Sequence, residues 1–64
     1  MSAKKLKRII KFYGLRQEDV AKYLGISRRT FYTKMKNGLF NIQEVNKMIT
    51  MLKIQEPMEI FFDT

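Results

Sequence analysis

Between Ser27 and Gly38 runs SRRTFYTKMKNG, a stretch dense in hydrogen-bond donors and without an acidic residue. As a helix over about 28–36, at roughly 100° per residue, it turns Phe31 and Met35 to one face. Arg28, Arg29, Tyr32, Thr33 and Lys36 then occupy the adjoining arc and face outward. An arginine on such an arc can donate two hydrogen bonds to guanine O6 and N7 in a major groove, a contact worth roughly 1–3 kcal/mol of discrimination. Threonine can donate, accept or touch a thymine methyl, and tyrosine can meet a phosphate or stack on a sugar. The competing reading is a solvated basic face with no ligand.

To reach anything, this helix must be held out from a body that buries Phe31 and Met35. The segment before it, QEDVAKYL, has helical spacing and meets Gly25. Two short helices that cross steeply while nearly touching need a small residue at the contact (Ala21) and a residue that tolerates positive φ at the turn (Gly25). They also need apolar anchors on both sides, here Val20, Ile26 and Phe31. Ser27 is a good N-cap for the outward helix, and Asn37-Gly38 closes it. The spacing predicts a helix-turn-helix over about 17–36. A helical hairpin that touches no ligand has the same spacing, so the donor-rich arc is what separates the two.

The remaining chain also has helical periodicity. A first helix over about 3–13 turns Ala3, Leu6, Ile9, Ile10 and Tyr13 inward, with Lys4, Lys7, Arg8 and Lys11 on the other side and Gly14 as its stop. Glu18 and Asp19 fall in the first turn of the second helix, where the dipole favours negative charge, but Arg16 is a poor cap there. Leu39 and Phe40 are expected as buried loop residues. Asn41 with Glu44 is a capping-box pattern opening a fourth helix over about 42–52, with Ile42, Val45, Ile49 and Leu52 inward and Met48 beside them. Pro57 suits the first turn of a last helix over about 57–62. The expectation is an all-α, compact five-helix bundle of one small domain, 1–64.

The net charge of +7 is unevenly spread. Residues 1–36 hold eleven Lys/Arg against two acids, a net of +9, whereas residues 37–64 hold two against four, a net of −2. A basic half suggests a polyanion partner, nucleic acid or an anionic membrane surface. No apolar run approaches a membrane span, and the start lacks a signal-peptide core, so a soluble, intracellular protein is expected. Without Cys or His there is no disulfide and no zinc site built from those residues. No nucleophile–base pair and no glycine-rich phosphate cradle is visible, so neither an enzyme nor a cofactor nor a small-molecule substrate is expected.

LRQEDVAKYLGISRRTFYTKMKNG resembles the helix-turn-helix of the phage Cro and CI repressor family, also called XRE-like. Gln17, Ala21, Gly25, Ser27 and Phe31 fall where that family has Gln, Ala, Gly, Ser/Thr and an aliphatic or aromatic residue, and KIQEPMEIFF is similar to its closing helix. The resemblance implies a lambda repressor-like fold that binds a palindromic operator on double-stranded DNA as a homodimer, in the bacterial cytoplasm or nucleoid. It also implies that Arg28, Arg29 and Thr33, with Tyr32 beside them, face the bases. Arg16, Gln17, Ser27, Lys36, Asn37 and Gly38 would then meet phosphates. Arg16 departs from the family's Thr/Ser/Asn cap, and the third helix runs about one residue longer before Asn37-Gly38.

Three alternatives stand beside this. AKKLKRIIKFY is basic and amphipathic enough for a membrane surface, although its apolar stripe has the width of a core-facing helix. More simply, Lys4, Lys5 and Lys7 add non-specific attraction to DNA. A protein-interaction or antitoxin-like adaptor could use the same fold without reading bases. RNA binding would call for more exposed aromatics than the chain offers. Phe61 and Phe62 cannot both point into one small core, and one of them is a candidate two-fold contact.

Overall fold

The computed structural model describes residues 1–62; Asp63 and Thr64, which end the acidic tail, lie outside the described residues. Five helices follow in order: α1 (Ala3–Phe12), α2 (Gln17–Leu24), α3 (Arg28–Asn37), α4 (Ile42–Met51) and α5 (Pro57–Phe61). No strand occurs among the described residues.

The ends of these helices are set by local chemistry. Ser2 opens α1, accepting from the Lys5 N–H through Oγ at 3.2 Å. Gly25 closes α2 at φ 78°, ψ 26°, and the Ile26 N–H then donates to the Ala21 carbonyl at 3.0 Å. This six-residue closure satisfies an orphan carbonyl and folds Ile26 back against the core. Ser27 Oγ accepts from the Thr30 N–H at 3.0 Å, so only three residues separate the end of α2 from the start of α3. Asn41 and Glu44 form the expected reciprocal box at the start of α4, with bonds of 2.8 and 2.9 Å.

Leu6, Val20, Phe31, Met35, Met48 and Leu52 form the centre of the core, each less than 2–3% exposed. Ile54 in the α4–α5 connection and Ile60 and Phe61 of α5 close it from below, and the Ser2 N–H donates to the Ile60 carbonyl, tying the chain's start to α5. Three inward expectations need correction. Tyr13 is exposed, because α1 ends at Phe12 and Gly14 turns the chain away before the stripe can continue. Leu39 is also exposed; of the loop pair only Phe40 tucks in, its ring 5.4 Å from that of Phe31. Ile42 lies roughly a quarter turn from the Val45–Met48–Leu52 face and is exposed. Ile49, like Ala3 and Ile9, is half-buried and packs against the core.

Glu44 takes the inward position near the start of α4 and makes a second set of bonds. Lys34 Nζ of α3 donates to both of its carboxylate oxygens, at 2.9 and 2.7 Å. The pair is largely withdrawn from solvent, with side-chain exposures of 27% for Lys34 and 9% for Glu44. Burial by itself would raise the Glu44 pKa, but the Lys34 hydrogen bonds, the Asn41 N–H and the charges of Lys34 and Lys47 together hold it below its ordinary 4.5.

A carboxyl lowered in the folded state contributes stability above its ordinary value and loses it as pH falls through the folded-state pKa. Urea unfolding followed from pH 7 down to about 3 should therefore show an acid loss that Glu44→Gln flattens; parallel profiles would remove the carboxylate from the cause. At the α2–α3 turn, a Cβ on Gly25 would meet nothing within 4 Å. Gly25→Ala should then cost about 1–2 kcal/mol from the left-handed backbone alone, and Gly25→Asn less; equal losses for both would point to a steric cause instead.

Candidate nucleic-acid interface

α3 gives Phe31 and Met35 to the core and leaves Arg28, Arg29, Thr30, Tyr32, Thr33, Lys36 and Asn37 exposed. Arg29, Thr33 and Lys36 lie near the middle of this outward face, Arg28 and Tyr32 on its flank toward the core side. None of these side chains is covered by another element, and among the described residues no carboxylate lies within ion-pair distance of Arg28, Arg29 or Lys36. The donors are thus presented to solvent on a helix whose rotation is held by Phe31 and Met35 inside and by Lys34 at its other flank.

The flanking residues are ordered in different ways. Ser27 Oγ both accepts from the Thr30 N–H and donates to Thr30 Oγ1 at 2.9 Å, so its hydroxyl is already engaged in capping. Arg16 is extended before α2; its N–H donates to Asp19 Oδ2 at 2.7 Å, the reciprocal half of a capping box, whereas its own side chain has no oxygen to accept a first-turn N–H. The Arg16 guanidinium reaches Glu18 Oε1 at 3.2 Å and lies 4.0 Å from Asp19 Oδ2, yet its side chain stays 79% exposed. An exposed pair of this kind is worth roughly 0–1 kcal/mol and yields readily to a stronger anion. Gln17 is half-buried at the start of α2, while Asn37 and Gly38 end α3 in the open, Gly38 at φ 68°. The sequence-predicted residues of α3 and its ends are thus all exposed, from Ser27 to Gly38.

Phe61 and Phe62 separate. Phe61 is a core residue and is not available as a surface contact, whereas Phe62 is 51% exposed. Reasoning from the sequence missed the Lys34–Glu44 bond, because nothing local links positions ten apart, and Thr30, whose outward place on α3 was legible from its number alone. Among the described residues no helix is long and apolar enough to cross a membrane.

The model of the antitoxin Xre-like helix-turn-helix domain matches residues 1–51, from the chain's start to the last residue of α4. No curated protein and no solved structure matches significantly. The match covers 51 of 64 residues and takes in the α2–Gly25–α3 turn with its outward donors, so the chain belongs to the antitoxin Xre-like helix-turn-helix family and is, at that level, a DNA-binding regulator.

Proposed function

We propose that the protein is a sequence-specific transcriptional regulator, a Cro/CI-type repressor of a phage or mobile element, whose α3 enters the major groove of an operator. The observation that carries this is the continuous exposed, acid-free donor face of α3. Arg29 and Thr33 at its centre, with Arg28 and Tyr32 at its leading flank, would face base edges. Lys36, the backbone about Asn37-Gly38, Gln17 and Ser27 would position the helix on phosphates, and Arg16 would exchange its exposed carboxylate partners for one. α2 would brace α3 against the backbone, the usual division of labour in this motif.

A palindromic site read by two copies needs a contact between them, and Phe62 with Met58, 66% exposed one turn earlier, forms an apolar edge on α5 suited to it. The protein would act in the cytoplasm or nucleoid. The word antitoxin in the family's description favours a second reading: an adaptor whose main partner is a protein, with little sequence preference on DNA.

Selection of bound duplexes from a random pool separates the two readings. The regulator should enrich a two-fold symmetric consensus with half-sites about one helical turn apart; an adaptor should enrich none. On the selected site Arg29→Ala should relax preference at one position by roughly 1–3 kcal/mol, whereas Lys36→Ala should weaken all sequences alike and reduce the salt slope by about 1. For the dimer, sedimentation of the operator complex should show two copies per site for the natural chain and one for Phe62→Ser; two copies for both would exclude the α5 edge.

A further inference from the structure

A notch of about 430 Å³ opens where the second half of α1, residues 15–18 and the first residue of α3 come together. Ile10 and Leu15 provide its apolar lining. Around it stand Lys7 and Lys11 from α1, Arg16 from the α1–α2 turn and Arg28 from α3, with Glu18 as the one acidic residue. Glu18 is already 3.2 Å from Arg16. Among the described residues no carboxylate lies within ion-pair distance of Lys7, Lys11 or Arg28.

The charge of α1 is divided between two sides. Lys5 and Arg8 line a separate, mostly apolar groove together with Glu56 and Glu59 of the α5 region. Lys7 and Lys11 lie on the opposite flank, one turn apart, and the one carboxylate across the notch, Glu18, is paired with Arg16. Like charges at this spacing destabilise a helix, and a concave site with an apolar lining concentrates their field. Such an arrangement is relieved by an anion that several donors can share.

We propose that this notch seats a phosphate group of the DNA backbone, with Lys7 and Lys11 as ligands that α1 adds from outside the helix-turn-helix. The proposal rests on the reading of α3 given above. Arg28 belongs both to the notch and to the leading flank of α3, so a phosphate held there lies beside the first of the donors that face the bases. α1 thereby becomes part of the docking surface, fixing how far α3 advances along the groove. A free inorganic phosphate has the same recognising chemistry, and the test separates the two sources.

Duplex affinity is measured across a salt series for the natural chain, Lys7→Ala/Lys11→Ala, Lys5→Ala/Arg8→Ala and Arg29→Ala. Losing the one phosphate neutralised in the notch should make the slope of log K on log salt less steep by about 0.9 for the Lys7/Lys11 variant, with sequence preference unchanged. The Lys5/Arg8 variant removes the same charge from the same helix and should change the slope by less than half as much; equal changes would make the effect a diffuse field and overturn the proposal. If Arg29→Ala relaxes preference while the Lys7/Lys11 variant keeps the natural slope, the notch assignment fails and the reading of α3 stands. If the natural chain binds every duplex alike but the Lys7/Lys11 variant loses slope, the reading of α3 fails and the phosphate seat stands. Lys7→Arg/Lys11→Arg, which preserves charge, should restore the slope. In a parallel titration followed by amide chemical shifts, inorganic phosphate that binds the notch while the Lys7/Lys11 variant binds duplex normally would reassign the site to a free anion.

Discussion

α3 gives the core two side chains, Phe31 and Met35, and both are almost wholly removed from solvent. Burying each is worth roughly 1.5–3 kcal/mol, but the more important effect is on rotation. A turn of about 100° about the helix axis would carry Thr30 or Tyr32 inward in place of Phe31 and Lys34 or Lys36 in place of Met35, at the cost of a buried charge. The same two residues therefore hold α3 to the body and decide which donors face outward. The Phe40 ring beside Phe31 fills the space behind the helix. Lys34, on the flank opposite Arg28, is held by both oxygens of Glu44.

That ion pair gives the exposed donor face of α3 a mechanical boundary. Glu44 is at once the capping-box residue of α4 and the partner of Lys34, so the position of α3 is coupled to the start of α4 through one carboxylate. Its three side-chain hydrogen bonds leave little room for a different rotamer. A basic residue on α3 is thereby removed from the outward-facing charge and given a structural task, which sharpens the division between the donors on Arg29, Thr33 and Lys36 and the side of the helix that faces α4. The excess charge of α1 is sorted in a comparable way, with one flank beside acids and the other beside the leading end of α3.

The local rules were legible residue by residue. Helical periodicity and end signals located α2 within its observed limits, and Ser27, Asn41, Gly14, Gly25 and Gly38 act at the ends where their types predict. The end of α4 was harder, because the left-handed position there is Lys53 at φ 50°, a residue that carries no such signal. Tyr13 and Ile42 were placed inward by a helical stripe but sit at or just beyond a helix end, where the stripe no longer fixes direction; Leu39, expected buried in the loop after α3, is exposed and Phe40 fills that place instead.

What the amino-acid order determined by itself was whatever depends on neighbours a few positions apart. This covers the all-helical class, the turn at Gly25, the acid-free arc from Arg28 to Lys36 and the basic character of the first half. What needed the tertiary structure was every relation between elements far apart in the chain. Glu44 had to meet Lys34 across ten residues, Phe61 had to be chosen over Phe62 for the core, and Lys7 and Lys11 had to be carried beside Arg28. The physical reason is that side-chain type and helical phase set which way a residue points, whereas the packing of one helix on another sets what it meets.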